Sequence, residues 1–201
     1  LKFFEANFSG FLPLEMMVEF KTKKRRPVLD IKNLEKVEEF ENFLDSIPVM
    51  SKPLSVLSFI KASKQAFYNG NPEKYSLPTK TEGAFILRYM KGQSDNSGLF
   101  KSFVDSTFSK MRISCQIADI GSTRLDSLVH IMIEPRMKAT FVSTEKDTVI
   151  TSITGSTKIF IKGNKFLVAN LQESLLLAFV LITLSMAILF ANVRMIIISL
   201  I

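Results

Sequence analysis

The chain has 201 residues and a net charge of +7; 47% of it is hydrophobic and 22% charged. That apolar content excludes intrinsic disorder, and eight glycines exclude a collagen-like repeat. One cysteine excludes an internal disulfide framework or a multi-cysteine metal site, and one histidine excludes zinc sites built on two or three imidazoles.

Phe3, Phe4, Phe8 and Phe11 precede the first expected element. They can pack under the base of a membrane-proximal domain or line a path for an apolar substrate; packing is the plainer use. Leu14–Phe20 is a short apolar-rich run and reads as a strand. KTKKRR at 21–26 then places five basic residues in six. Such a run can meet anionic lipid headgroups or nucleic acid. It lacks interleaved aromatics and lies beside Pro27, so a solvated turn is the simpler reading and nucleic acid is not expected.

Asn33 is placed to cap a helix with Leu34, Val37, Phe40 and Leu44 on one face, ended by Pro48. Pro53 opens a second helix through Val56, Leu57, Ile60 and Phe67, closed by Asn69-Gly70-Asn71-Pro72. Thr79 and Glu82 form a capping box for a third helix to about Lys91, and residues 92–98 read as a loop. Phe100–Ser106 is expected as a strand. Met111–Ala118 alternates apolar and polar residues, the pattern of a sheet with one covered face, and pairs with Phe100–Ser106 as a hairpin. Ser122 caps a helix with Leu125, Leu128, Val129 and Met132 on one side, ended or kinked by Pro135. Thr148–Ile153 is the last strand, and from about Ser156 the chain turns helical.

With the second and third helices taken as an insertion, the order is βαββαβ. The expected fold class is therefore α+β: a ferredoxin-like split βαβ domain with a helical insertion, followed by a transmembrane helix. Such a plan names no function by itself.

The last part of the chain differs in kind. Ser174–Ile201 has 22 apolar residues among 28, and Arg194 is its only charge. Ser174–Val193 is twenty residues without a charge, about 30 Å of helix and so the thickness of the hydrocarbon core. The expected division is an extracytoplasmic domain at 1–170, a transmembrane helix at 171–193, and at 194–201 a short cytoplasmic turn with the start of a further helix. Ser174, Ala178, Ser185 and Asn192 fall within about 40° of one another on that helix, a stripe suited to packing against other membrane helices. Arg194, between two apolar runs, makes the turn cytoplasmic by the positive-inside rule and the large domain external. Residue 1 is Leu and the final run stops among apolar residues, so a longer membrane protein is expected.

No catalytic constellation is found, and neither a cofactor nor a metal is expected. His130 lies 140° around its helix from Leu125 and reads as a surface residue. Cys115 lies on the apolar face of its strand and reads as an inert buried thiol. Asp105 and Asp119, near the strand ends, read as turn and cap residues, although paired carboxylates can do acid–base chemistry. Thr154-Gly155-Ser156 has one glycine and falls short of a phosphate loop.

NFSGFLPLEMMVEF, KPLSVLSFIKASKQAFYNGNPEKYSLP, ITGSTKIFIKGNKFLVANLQESLLLAF and FANVRMIIISLI together resemble the resistance–nodulation–division superfamily, in particular the MMPL-type predicted exporters of Bacteroidetes-like bacteria. The resemblance covers nearly the whole chain in order and contains no catalytic motif. It implies one periplasmic porter domain and the transmembrane helix after it, from a duplicated protein of twelve membrane helices in the bacterial inner membrane. It also implies a secondary transporter, usually proton-driven, that exports lipids or other hydrophobic or amphiphilic compounds. The partners implied are the remaining membrane helices and a second periplasmic loop, with oligomerisation left open. The proton-relay acids of the family lie in helices outside this stretch, and no Asp or Glu lies inside the uncharged run here. The competing reading is a membrane-anchored extracytoplasmic interaction or sensor module without transport.

Overall fold

The computed structural model describes residues 10–83, 85, 101–143 and 147–190. Residues up to Ile159 form one compact unit, and those from Phe160 a second.

The first unit is mixed α and β. Strands β1 (Leu12–Lys21), β2 (Lys110–Ile117) and β3 (Thr148–Thr154) make one antiparallel sheet in the order β2-β1-β3. Because β1 is antiparallel to both neighbours, β2 and β3 run parallel to each other on either side of it. The helical stretch between β2 and β3 therefore carries the chain across β1.

Side-chain alternation explains the register. Leu14, Met16 and Val18 are fully buried, as are Ile113 and Ile117. They meet on one face because Leu14 pairs with Cys115, Met16 with Ile113 and Val18 with Met111. The other face is polar and laced across strands: Arg112 reaches Glu15 at 3.2 Å, and Lys110 reaches Glu19 at 3.4 Å. A slip of one residue would reverse both faces at once.

The strand expected at Phe100–Ser106 is not formed. Phe100 lies outside the described residues, and the rest pairs with β2 through the single bridge Val104–Met111. Two causes act together. Asp105 turns the chain sharply, its carboxylate accepting the backbone N–H groups of Ser109 at 2.8 Å and Lys110 at 2.7 Å. Further along, the same edge of β2 is taken by the segment before the second helix, through bridges Met50–Ile117 and Leu54–Ser114.

Helix α1 (Ile31–Asp45) buries Leu34, Val37, Phe40 and Leu44, the expected face. Its cap is Asp30, which accepts from the Lys32 N–H, and not Asn33, whose amide donates to Pro27 O at 2.8 Å. Helix α2 (Val56–Phe67) starts from Ser55, which accepts from the Leu57 N–H. It packs on β2 and buries Val56, Leu57 and Ile60, while Phe67 stays 44% exposed. The expected capping box is present: Thr79 N–H donates to Glu82 Oε2 at 2.9 Å and Glu82 N–H to Thr79 Oγ1 at 3.3 Å. The loop expected at 92–98 lies outside the described residues.

The crossover consists of α3 (Ser122–Ser127), a π-helical segment Leu128–Ile133, and α4 (Glu134–Thr140). Gly121, not Ser122, precedes its first turn. The wider π turn adds a residue and rotates the apolar face, so Ile133 and not the expected Met132 is buried. It also explains how Pro135, which lacks an N–H, lies within continuous helix instead of ending it. Phe40 of α1 meets Phe141 edge-on at 5.7 Å, and Arg136 bonds Glu39 at 2.8 Å, so the crossover is held to α1.

Helix α5 (Ser156–Phe190) follows β3 with only Gly155 between them. It is continuous over 35 residues, and among the described residues it alone is long and apolar enough to cross a membrane.

Candidate functional site

The junction of β3 and α5 is built for close approach. Gly155 has φ +97°, and a Cβ there would lie 3.1 Å from both Glu15 N and Pro13 O. Thr157, fully buried, donates its hydroxyl proton to Pro13 O at 2.6 Å. The first turn of α5 is thereby tied to β1, the central strand.

Ser174, Ala178 and Ser185 all lie on α5 and are exposed, as are Leu175, Leu177 and Leu181 around them. Asn192 and Arg194 lie outside the described residues. The basic run 21–26 sits at the far end of β1 from the Pro13–Thr157 contact. Part of its charge is met locally, since Lys24 lies 3.4 Å from both Asp30 and Asp147.

A cavity of about 250 Å³ is lined by Phe67, Tyr68, Glu82 and Phe85. Behind it, the buried Lys64 ammonium donates to Leu77 O at 2.9 Å and Ser76 Oγ at 3.1 Å, and lies 3.1 Å from Glu82 Oε2. Tyr68 OH donates to Glu82 Oε1 at 2.8 Å. The Thr79 N–H and then the Tyr68 hydroxyl hold the Glu82 carboxyl down at about 2. Lys64 and Glu82 thus pin the 76–82 segment onto α2, and the two phenylalanines give the cavity an apolar wall.

Glu41, on α1, is a buried acid. Ser55 Oγ donates to its Oε1 while accepting from the Leu57 N–H, so a single hydroxyl joins the acid to the start of α2. Burial pushes the Glu41 carboxyl up to about 7, against the Ser55 hydrogen bond and the charge of Lys61. Lys61 itself pairs with Glu38 at 2.6 Å.

Neither Glu41 nor Lys64 was singled out from the sequence, although helical phase marks both. Glu41 falls between Val37 and Leu34 on the α1 wheel, and Lys64 between Ile60 and Leu57 on that of α2. A charged residue on an apolar stripe is the signal.

The remaining candidates take quiet roles. His130 is on the surface between two carboxylates one turn away, 3.5 Å from Asp126 and 2.9 Å from Glu134. Asp105 organises its turn: burial pushes its carboxyl up, and hydrogen bonds from Thr107, Lys110 and Ser109 outweigh that and hold it down. Asp119 accepts from the Gly121 N–H at 3.0 Å. Cys115 is 3% exposed, and burial pushes its thiol up to about 12. A thiol held that high stays protonated at neutral pH. We therefore expect the folded chain to resist thiol reagents at pH 8 and to be labelled only on denaturation. Rapid labelling of the native chain would contradict the β1–β2 register.

No family model matches the chain, and neither does any curated protein.

Proposed function

We propose that the chain is part of an RND/MMPL-type secondary transporter that exports lipids or other hydrophobic or amphiphilic compounds, driven by protons. The observation that carries this reading is α5, which leaves the last strand of the domain and continues without a break into an uncharged apolar run. The domain is then a ferredoxin-like porter module. The crossover from β2 to β3 around β1 supports that finer reading, because it is the second half of a split βαβ plan. The resemblance of the four quoted stretches supplies the family.

In this scheme the domain stands on the periplasmic side of the inner membrane, and Arg194 on the cytoplasmic side. Ser174, Ala178, Ser185 and Asn192 face the other helices of a multi-pass protein, where small side chains let backbones approach. Helix motion is passed to the domain at Gly155 and Thr157, where α5 is tied to β1. The porter domain guides the substrate, and proton movement through other membrane helices drives the rigid-body shift.

Two measurements test the reading. A reporter active only in the periplasm should work when inserted within residues 92–98, and one active only in the cytoplasm should work after Arg194; the reverse pattern refutes the topology. Cells lacking the full-length protein should retain an apolar dye that the parent exports, and collapsing the proton gradient should abolish the difference. Equal retention in both strains would leave the anchored-module reading in its place.

A further inference from the structure

We propose that the cavity lined by Phe67, Tyr68, Glu82 and Phe85 binds a small organic anion with an apolar body, its ring or chain end against the two phenylalanines and its anionic head at Lys74. The inference goes beyond the transporter reading: it rests on the cavity alone and stands whether or not the chain is part of a transporter.

Walls and size give the apolar end. Phe67 and Phe85 are 44% and 64% exposed, so each holds ring surface in water that a ligand would cover. Phe67 meets Tyr68 edge-on at 5.3 Å, and these two rings come from consecutive residues at the end of α2. The volume, about 250 Å³, falls short of the roughly 300–1,000 Å³ that encloses a whole drug-sized ligand. The cavity therefore holds a ring or the end of a chain, and the rest of the ligand stays at the rim.

Charge selects the head group. Both oxygens of Glu82, the acid in the wall, are engaged: Oε1 accepts from the Tyr68 hydroxyl, and Oε2 accepts from the Thr79 N–H and lies 3.1 Å from the buried Lys64 ammonium. A cationic ligand would have to compete with Lys64, which Leu77 O and Ser76 Oγ hold in place. Lys74 differs. It is exposed, its ammonium lies over the Tyr68 ring at 5.3 Å from the centroid, and among the described residues it has no carboxylate partner. Glu73, one place back on the same three-residue 3-10 turn, projects about 120° away from it. The Tyr68 ring thus holds a cation at the rim of the cavity, and a ligand carboxylate or sulfonate supplies its counter-charge.

The test is photolabelling of the full chain in phosphatidylcholine nanodiscs with azidonaphthalenesulfonate and with its uncharged counterpart azidonaphthalene, the adducts being mapped by mass spectrometry. The sulfonate should label residues 67–85 more heavily than the rest of the domain, and an excess of naphthalenesulfonate should displace it. Phe67→Ala should cut labelling by both reagents several-fold. Lys74→Gln should cut labelling by the sulfonate several-fold and leave that by the uncharged reagent unchanged, and Lys74→Arg should restore the sulfonate. Both positions are exposed, so neither change empties the core. Sulfonate labelling that survives Lys74→Gln, or an equal loss of both reagents in that variant, would overturn the head-group contact and with it the proposal. Labelling by the uncharged reagent alone, no concentration of adducts within 67–85, or adducts that excess naphthalenesulfonate does not displace would overturn it equally.

Discussion

Raising the pH from about 4 to about 8 is expected to remove about 3 kcal/mol of folding stability through one side chain, Glu41. Its carboxyl is raised from 4.5 to about 7 by burial between α1 and the start of α2. One pKa unit corresponds to about 1.4 kcal/mol of differential stability. Below 4.5 the acid is protonated in folded and unfolded chains alike, and its contribution is complete. Between 4.5 and 7 the folded chain holds a proton that the unfolded chain has lost, so stability falls as pH rises; above 7 the loss is complete. Glu41→Gln keeps an acceptor for the Ser55 hydroxyl and cannot ionise. Its stability should be flat across this window relative to the parent, and higher than the parent at pH 8. Denaturant titrations followed by circular dichroism, for both chains at a series of pH values, give the comparison. Parallel pH profiles for the two would mean that Glu41 is ionised and accommodated in the native fold.

Gly10→Ala should cost about 3 kcal/mol or more. Gly10 precedes β1 with φ +119°, and a Cβ there would lie 2.4 Å from Ile117 C and 2.5 Å from Ala118 N. Both obstacles are backbone at the end of β2, so no side-chain rotation relieves them. Relief requires the start of β1 to move off β2, which breaks the Leu12–Ile117 pairing first. Gly83→Ala is the control, because a Cβ there meets nothing within 4 Å and the residue is helical. It should leave stability unchanged or raise it by about 0.5 kcal/mol. Thermal unfolding of the two variants gives the contrast, and similar midpoints for both would remove Gly10 as a constraint on the sheet.

Most of the sheet and helices α1 and α2 were legible in the sequence because one residue period governs each. The alternation from Met111 to Ile117 fixes which face of β2 is covered, and tertiary structure leaves it unchanged. The misses arise where a local rule competes with a distant partner. Phe100–Ser106 carries strand-like residues, but the Asp105 turn and the bridges from Met50 and Leu54 determine what the edge of β2 accepts. Met132 fits an α-helical period, and only the π turn before Pro135 makes that period wrong. For the site, apolar length announces α5 and its small stripe. The tie between Thr157 and Pro13 is invisible, since its partners are 144 residues apart and the acceptor is a backbone oxygen.

The central position of β1 has a consequence for the order in which the chain can fold. Thr154 bonds Glu15 across 139 residues, and Arg112 bonds Glu15 across 97. Of the three strands, β1 is made first and must therefore wait for both of its neighbours, and closing such long loops slows folding more than it reduces stability. The sheet cannot close until Thr154 has emerged, and α5 begins two residues later. During synthesis the domain would thus stay an open chain until the start of its own long apolar helix has been made. Any chaperone that meets the growing chain would find β1 as an unpaired strand, with the alternate residues Leu14, Met16 and Val18 exposed for that whole interval.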